Sequence, residues 1–151
     1  MMRLKLPPRV KVLEALGSIA DGRVRVINDS EAEVTSSTGD RVYKVLIDLK
    51  SNKVFSNDNG TYYRNYVGYP IIAFLMVKGV LPYDDKLANA LKGINWRKIN
   101  EIYKNYSLVE NYIKDLLKSK NFSTESVDEF INEVLTKLKS LPLYKISDKV
   151  N

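Results

Sequence analysis

The chain has 151 residues, a formal charge of +6 and a pI near 9.4, and it contains neither cysteine nor histidine. This composition excludes zinc sites of the Cys/His type, thiolate nucleophiles, iron–sulfur ligation, imidazole bases and disulfides. The longest apolar run, Tyr69 to Val77, is too short to cross a bilayer, and the start lacks a secretory leader, so we expect a cytoplasmic protein without a membrane role.

The first half of the chain predicts a helix followed by an antiparallel sheet. Pro7-Pro8 favours a helix start, apolar residues recur at helical spacing, and Gly22 ends the run, which predicts a helix over residues 9–21. Residues 22–56 then form four segments joined by tight turns, and the first three of these alternate with period two. This pattern predicts a four-stranded antiparallel meander.

The second half predicts mostly helix. A polar and aromatic loop covers residues 57–68, and residues 69–141 form a helical half whose first helix is apolar nearly all round. Ser107 to Glu110 has the pattern of a capping box, Ser123 opens the last helix, and residues 142–151 are predicted to be a frayed tail. We therefore expect an α+β fold in a single domain spanning residues 1–151.

Two short segments combine aromatic and basic residues in a way that suits nucleic acid. An aromatic ring can stack on a base while a neighbouring cation holds phosphate, and basic residues are also concentrated between Lys86 and Lys120. The candidate residues for such contacts are Tyr62, Tyr63, Arg64, Tyr66, Trp96, Arg97, Lys98 and Lys104. The alternative is that these tyrosines pack on the sheet and anchor a long loop, and that the lysines form a solvated surface.

The carboxylates give no pattern that requires a metal or a catalytic role. Residues 57–60 resemble the start of a calcium loop, but the glutamate that should follow is missing, which favours a strand-exit turn. Asp84 and Asp85 could hold a divalent metal, although helix capping explains them more simply. We predict no catalytic residue, no metal site and no cofactor.

The middle of the chain resembles a SWIM-type zinc finger. Residues 40–48 look like the strand of that family, residues 54–56 fall where its Cys-x-Cys pair would sit, and residues 68–75 look like its helix entry. The resemblance covers residues 34–77, every metal ligand is missing, and no metal residue carries over. It implies at most the role of binding DNA or a protein partner, with apolar packing in place of the zinc. The overall composition resembles that of proteins from archaea of hot, acidic habitats.

Three functions remain open at this point. The first is a non-catalytic accessory subunit or adaptor that contacts DNA or RNA, a protein partner, or both. The second is a protein–protein scaffold or homo-oligomer, which would use an exposed apolar stripe on the last two helices that includes Val127, Phe130, Val134 and Leu138. The third is a metal-dependent nuclease that would use Asp84 and Asp85. The sequence does not set the oligomeric state.

Overall fold

The computed structural model describes residues 1–146 and shows the α+β fold expected from the sequence. Its helices are α1 (Val10–Ala20), α2 (Asn59–Tyr62), α3 (Tyr69–Val77), α4 (Asp85–Ala90), α5 (Trp96–Tyr103), α6 (Tyr106–Ser119) and α7 (Thr124–Ser140). Its strands are β1 (Val24–Val26), β2 (Glu31–Thr35), β3 (Val42–Asp48), β4 (Lys53–Ser56) and β5 (Tyr144–Lys145).

The sheet has five strands in the order β1-β2-β3-β4-β5, one more than the sequence predicts. Strands β1 to β4 are consecutive antiparallel neighbours, as expected from the alternation, whereas β5 runs parallel to β4. The backbone of Tyr144 donates to the carbonyl of Asn52 at 2.8 Å, and that of Lys145 donates to Met2 at 2.8 Å. These bonds hold residues 144–145, so the prediction of a frayed tail is wrong there; residues 147–151 lie outside the described residues.

The core lies between the sheet and the helices, with α1 and α3 at its centre. Helix α3 begins after Gly68, carries Pro70 in its first turn, and is buried from Tyr69 to Met76. It packs on α1 and under strands β1 to β4, while α1 also contacts α4, α6 and α7. Gly79 has a φ of 77° just after α3, a left-handed conformation that glycine adopts without strain and that ends the helix.

The stripe on α7 that suggested a scaffold is part of this core. Val127, Phe130, Val134 and Leu138 are all buried. An amphipathic pattern shows which face of a helix is apolar but not what covers it, and here the rest of the domain covers it. The argument for an exposed docking stripe on α7 is therefore wrong.

The start of α6 differs from the sequence prediction. Asn105, not Ser107, caps the helix, with its Oδ1 accepting from the backbone N–H of Leu108 at 3.1 Å. Within α6, Lys114 is not a solvated surface lysine, because it forms ion pairs with Glu110 at 2.7 Å and with Asp128 of α7.

Among residues 1–146, no helix has the length and apolar character needed to span a membrane.

Candidate functional site

A cleft of about 840 Å³ opens at one side of the molecule and gathers side chains from distant parts of the chain. Its walls come from α1, the turn between β2 and β3, the start of β3, residues 58–60 and 64–69, and the α5–α6 corner. The contributing positions run from residue 11 to residue 106. Binding clefts for small ligands have about 300–1,000 Å³, so this volume is sufficient for one.

Three cations at the cleft have no carboxylate partner. Arg41, Arg64 and Lys104 line it, and no acidic side chain of residues 1–146 lies within ion-pair distance of any of them. Among the residues that the structure describes, Arg64 reaches only the hydroxyl of Tyr106, to which its Nη1 donates at 3.4 Å. Cations of this kind can neutralise an anionic ligand without first breaking an internal ion pair.

The carboxylates of the cleft, in contrast, are engaged within the protein. Arg97 of α5 contacts Asp40, and this ion pair joins α5 to the β2–β3 turn. Arg97 also lies 3.4 Å from Glu101 of its own helix. Hydrogen bonds from Thr38 and then Arg97 hold the pKa of Asp40 well below its usual range, so this group stays ionised. The cleft therefore presents cations that have no carboxylate partner among residues 1–146, whereas Asp40 and Glu101 are already paired with Arg97.

Asp58 is buried and fixes the loop that forms one wall. Its Oδ1 accepts from the backbone N–H of Thr61 at 3.0 Å and caps α2, and its Oδ2 accepts from the hydroxyl of Thr61 at 2.9 Å. The hydroxyl of Thr61 accepts in turn from the backbone N–H of Gly68 at 3.0 Å. A Cβ at Gly68 would overlap the Asp58 carboxylate, so only glycine allows the two segments to approach this closely.

The floor of the cleft carries a buried ion pair from α1. Lys11 Nζ lies 2.9 Å from Glu14 Oε1, and both side chains are about nine-tenths covered. The ammonium group also lies 5.4 Å from the ring centre of Tyr106. Burial would lower the pKa of Lys11, but the carboxylate of Glu14 outweighs this and raises it above its ordinary value, so the lysine stays charged.

Four tyrosines complete the lining in two edge-to-face pairs. The rings of Tyr43 and Tyr69 are 6.2 Å apart, and those of Tyr66 and Tyr106 are 6.5 Å apart with their hydroxyls hydrogen-bonded at 3.1 Å. Burial raises the pKa of Tyr43, Tyr66 and Tyr69 above the ordinary value near 10. Their hydroxyls therefore remain neutral.

The structure separates the residues predicted from sequence into two groups. Arg64, Tyr66, Arg97 and Lys104 line the cleft, although Arg97 is engaged by Asp40 and Glu101, and Tyr66 is only 8% exposed. Tyr62, Tyr63, Trp96 and Lys98 do not line it.

Trp96 and the first two tyrosines of the loop lie outside the lining of the cleft. Trp96 is fully buried and would meet any side chain added at Gly17, so the prediction that its ring stacks on a base is wrong for this conformation. Tyr62 packs against Lys145, whose ammonium lies 5.4 Å from its ring centre, and Tyr63 is 72% exposed beside it. Lys98 is exposed on the same helix as Arg97.

Sequence reasoning missed most of the cleft. The residues that it did not single out include Lys11, Glu14, Arg41, Tyr43, Tyr69 and Tyr106. One signal was present: Lys11 and Glu14 are charged positions within a helix that is otherwise apolar on most of its surface. The meeting of α1 with the α5–α6 corner is a matter of tertiary packing, which no local pattern encodes.

No metal centre is indicated in the part of the chain that the structure describes. Asp84 caps α4 by accepting from the backbone N–H of Leu87 at 3.0 Å, which is the simpler of the two roles considered for it. Residues 1–146 contain no group of three or more acidic side chains placed to hold a metal ion.

Comparison with known proteins places the chain in a family. Residues 4–144 match the family model described as Uncharacterised conserved protein UCP014422. No curated protein and no solved structure matches the chain. The match includes every cleft residue named above and nearly the whole length of the chain. The protein therefore belongs to the family of the uncharacterised conserved protein UCP014422.

Proposed function

We propose that this protein is a non-catalytic nucleic-acid-binding protein, an accessory subunit or adaptor that takes single-stranded DNA or RNA into the cleft. The observation that carries the proposal is the set of unpaired cations, Arg41, Arg64 and Lys104, around a cavity whose carboxylates are already engaged. Each can neutralise one phosphate and release its counterion, which drives binding without reading sequence.

Two further properties support the proposal. The overall charge of +6 favours encounter with a polyanion. Single-strand binding proteins combine a positive groove with aromatic side chains, and this cleft contains both.

The SWIM-like pattern of residues 34–77 stays a prediction, and it would agree with binding of DNA or a protein. The absence of cysteine supports a cytoplasmic location.

The test is a fluorescence-anisotropy titration of labelled single strands, DNA and RNA, at two salt concentrations. Three neutralised phosphates give a slope of about −2 in log K against log salt, so affinity should fall about 20-fold between about 50 and 200 mM salt. Each of Arg41→Gln, Arg64→Gln and Lys104→Gln should reduce the slope by about 0.7 units.

Lys98→Gln is the matched control, because it removes an exposed cation that does not line the cleft. It should leave the slope unchanged. Binding that is independent of salt, no binding at the lower salt, or an equal effect of Lys98→Gln would each contradict the proposal.

A protein partner is the second candidate, and exposed apolar side chains at the α5–α6 corner favour it. Ile102 is 63% exposed, Leu108 49% and Tyr112 43%. Apolar side chains grouped on a surface mark interaction sites more often than isolated ones do. If the surface joins two copies of this chain, light scattering should give a dimer mass that Ile102→Ser with Leu108→Ser reduces to one chain; a single-chain mass at all concentrations would exclude self-association.

A further inference from the structure

The ion pair on the floor of the cleft has unused hydrogen-bonding capacity. Glu14 Oε1 accepts from Lys11, whereas no group among residues 1–146 donates to Glu14 Oε2. The Lys11 ammonium has three N–H groups, one of which is used by Glu14. The floor therefore offers a ligand a donor and an acceptor side by side.

This pairing of donor and acceptor matches the edge of a nucleobase. Every base carries N–H donors next to ring nitrogen or carbonyl acceptors, and proteins read these edges with Lys donors and with Glu acceptors. In single strands these edges are free of pairing partners and can be reached by side chains. A carboxylate beside an ammonium would hold such an edge, whereas a bare phosphate would be repelled by Glu14.

The rest of the cleft fits the other parts of a nucleotide. Tyr43 and Tyr106, the more exposed members of the two ring pairs, line it and can contact a flat base, as tyrosines do in single-strand binding proteins. Arg41, Arg64 and Lys104 supply the unpaired positive charge that a phosphate needs. The floor thus offers hydrogen-bonding groups of the kind that a base edge needs, and the cations offer the positive charge that its phosphate needs.

We propose that the cleft binds one unpaired nucleotide, with the base edge on Lys11 and Glu14 and the phosphate at Arg41, Arg64 and Lys104. This inference rests on the proposed function and adds to it the unit that the site recognises. The unit is a nucleoside monophosphate, which could come from a strand or from a free nucleotide.

The experiment titrates the protein, followed by NMR, with each of the four nucleoside 5′-monophosphates and with ribose 5-phosphate at low salt. Ribose 5-phosphate carries the sugar and phosphate without the base. Base stacking and edge contacts should make at least one nucleotide bind about 10-fold or more tightly than ribose 5-phosphate. Glu14→Gln should reduce this ratio at least threefold, since an amide cannot accept as strongly as a carboxylate.

Glu33→Gln is the matched control, because Glu33 lies on β2 away from the cleft and pairs with Arg25 at 2.7 Å. It should leave the ratio unchanged. Since Glu14→Gln leaves Lys11 buried without its anion, a second variant, Lys11→Met with Glu14→Leu, removes the pair together. Such a replacement is often tolerated by the fold, and it should reduce the ratio at least as far as Glu14→Gln does, leaving only the contribution of stacking on the tyrosines.

The outcomes separate this inference from the proposed function. Equal affinity for ribose 5-phosphate and all four nucleotides, or no nucleotide binding at millimolar concentration while strands bind with the expected salt slope, overturns the inference and leaves the function standing. Base-dependent nucleotide binding without strand binding supports the site and contradicts the function. If a strand also binds at least 10-fold more tightly than the nucleotide, the natural source of the unit is a strand.

Discussion

Lys104 ends α5 in a conformation that ordinarily belongs to glycine. Its φ is 50° and its ψ is 24°, which is the left-handed region, and its backbone N–H bonds to the carbonyl of Asn100 at 3.0 Å. For a residue with a Cβ this conformation costs roughly 1–2 kcal/mol, which is why glycine is common just after a helix. The lysine therefore occupies a position that its backbone disfavours, and its side chain lines the cleft.

The substitution Lys104→Gly should move stability and binding in opposite directions. Relief of the backbone strain stabilises the fold, while the greater freedom of glycine in the unfolded chain offsets about 0.4–1 kcal/mol of it. The net gain is about 0.8 kcal/mol, which for a chain of this length raises Tm by about 2–3 °C. At the same time the loss of an unpaired cation should weaken binding of a single strand about twofold to fivefold at low salt.

The assay measures both quantities on the same preparation, Tm by circular dichroism and affinity by fluorescence anisotropy. Lys104→Gln is the matched control, since it removes the charge but keeps the strained backbone; it should weaken binding to the same extent without raising Tm. A Lys104→Gly protein with lower Tm and unchanged binding would refute the reasoning, because it would show that the lysine side chain stabilises the fold and does not serve the cleft.

Three further substitutions test the energetics of the fold. Asp58→Ala should lower the free energy of unfolding by about 2–4 kcal/mol in urea, because it removes a cap and leaves Thr61 buried without its acceptor; a loss within 0.5 kcal/mol would contradict the role of the buried network. Leu138→Ala should cost about 2–5 kcal/mol, since the residue is buried, whereas an exposed stripe would predict almost no change. The Lys114 ammonium lowers the pKa of Asp128, so this group contributes stability above its unfolded pKa near 4 that is lost as pH falls through the lower folded value. Urea denaturation at about pH 7 and pH 3 should show a smaller loss for Asp128→Asn than for the unaltered protein; equal losses would contradict this.

Local patterns in the sequence were sufficient for most of the sheet. Residues 31–35 alternate between polar and apolar side chains, and they form β2. Residues 53–56 are a short run that follows a turn, and they form β4. The alternation is informative because one face of the meander packs on α3 and the other does not. Strand β5 has only two residues and pairs in parallel with β4, so it depends on contacts with Met2 and Asn52 that no local pattern reveals.

The helical half shows where local rules compete. Asn105 and Ser107 are both good caps, and the sequence pattern of a capping box favours Ser107. The left-handed conformation of Lys104 ends α5 immediately before Asn105, so the next helix begins at once and Asn105 becomes the cap. The geometry of the corner between α5 and α6 decides which residue is the cap, and residue propensities alone do not predict that geometry.

The candidate site was only partly predictable for a related reason. Tyr66 and Trp96 were selected as aromatic residues beside bases, but the same size that suits stacking also makes them good core residues, and both are buried. Arg64 and Lys104 were selected as cations that could contact phosphate; they line the cleft, and their contact with nucleic acid stays a prediction. Their relation to Arg41 and to Lys11 depends on how the loop and the α5–α6 corner pack on α1.

The position of the ion pair on α1 connects the fold to the proposed ligand. Helix α1 is buried on most of its surface, and a charged pair in such a setting seldom adds stability, because desolvation offsets the attraction. Its spacing of three residues nevertheless lets one rigid helix deliver a cation and an anion to the same point. The unpaired cations come instead from a turn, a loop and a helix end, where side chains are long and adjustable. A rigid floor with an adjustable positive rim suits a ligand with a rigid polar part and a mobile anionic part, and an unpaired nucleotide has both.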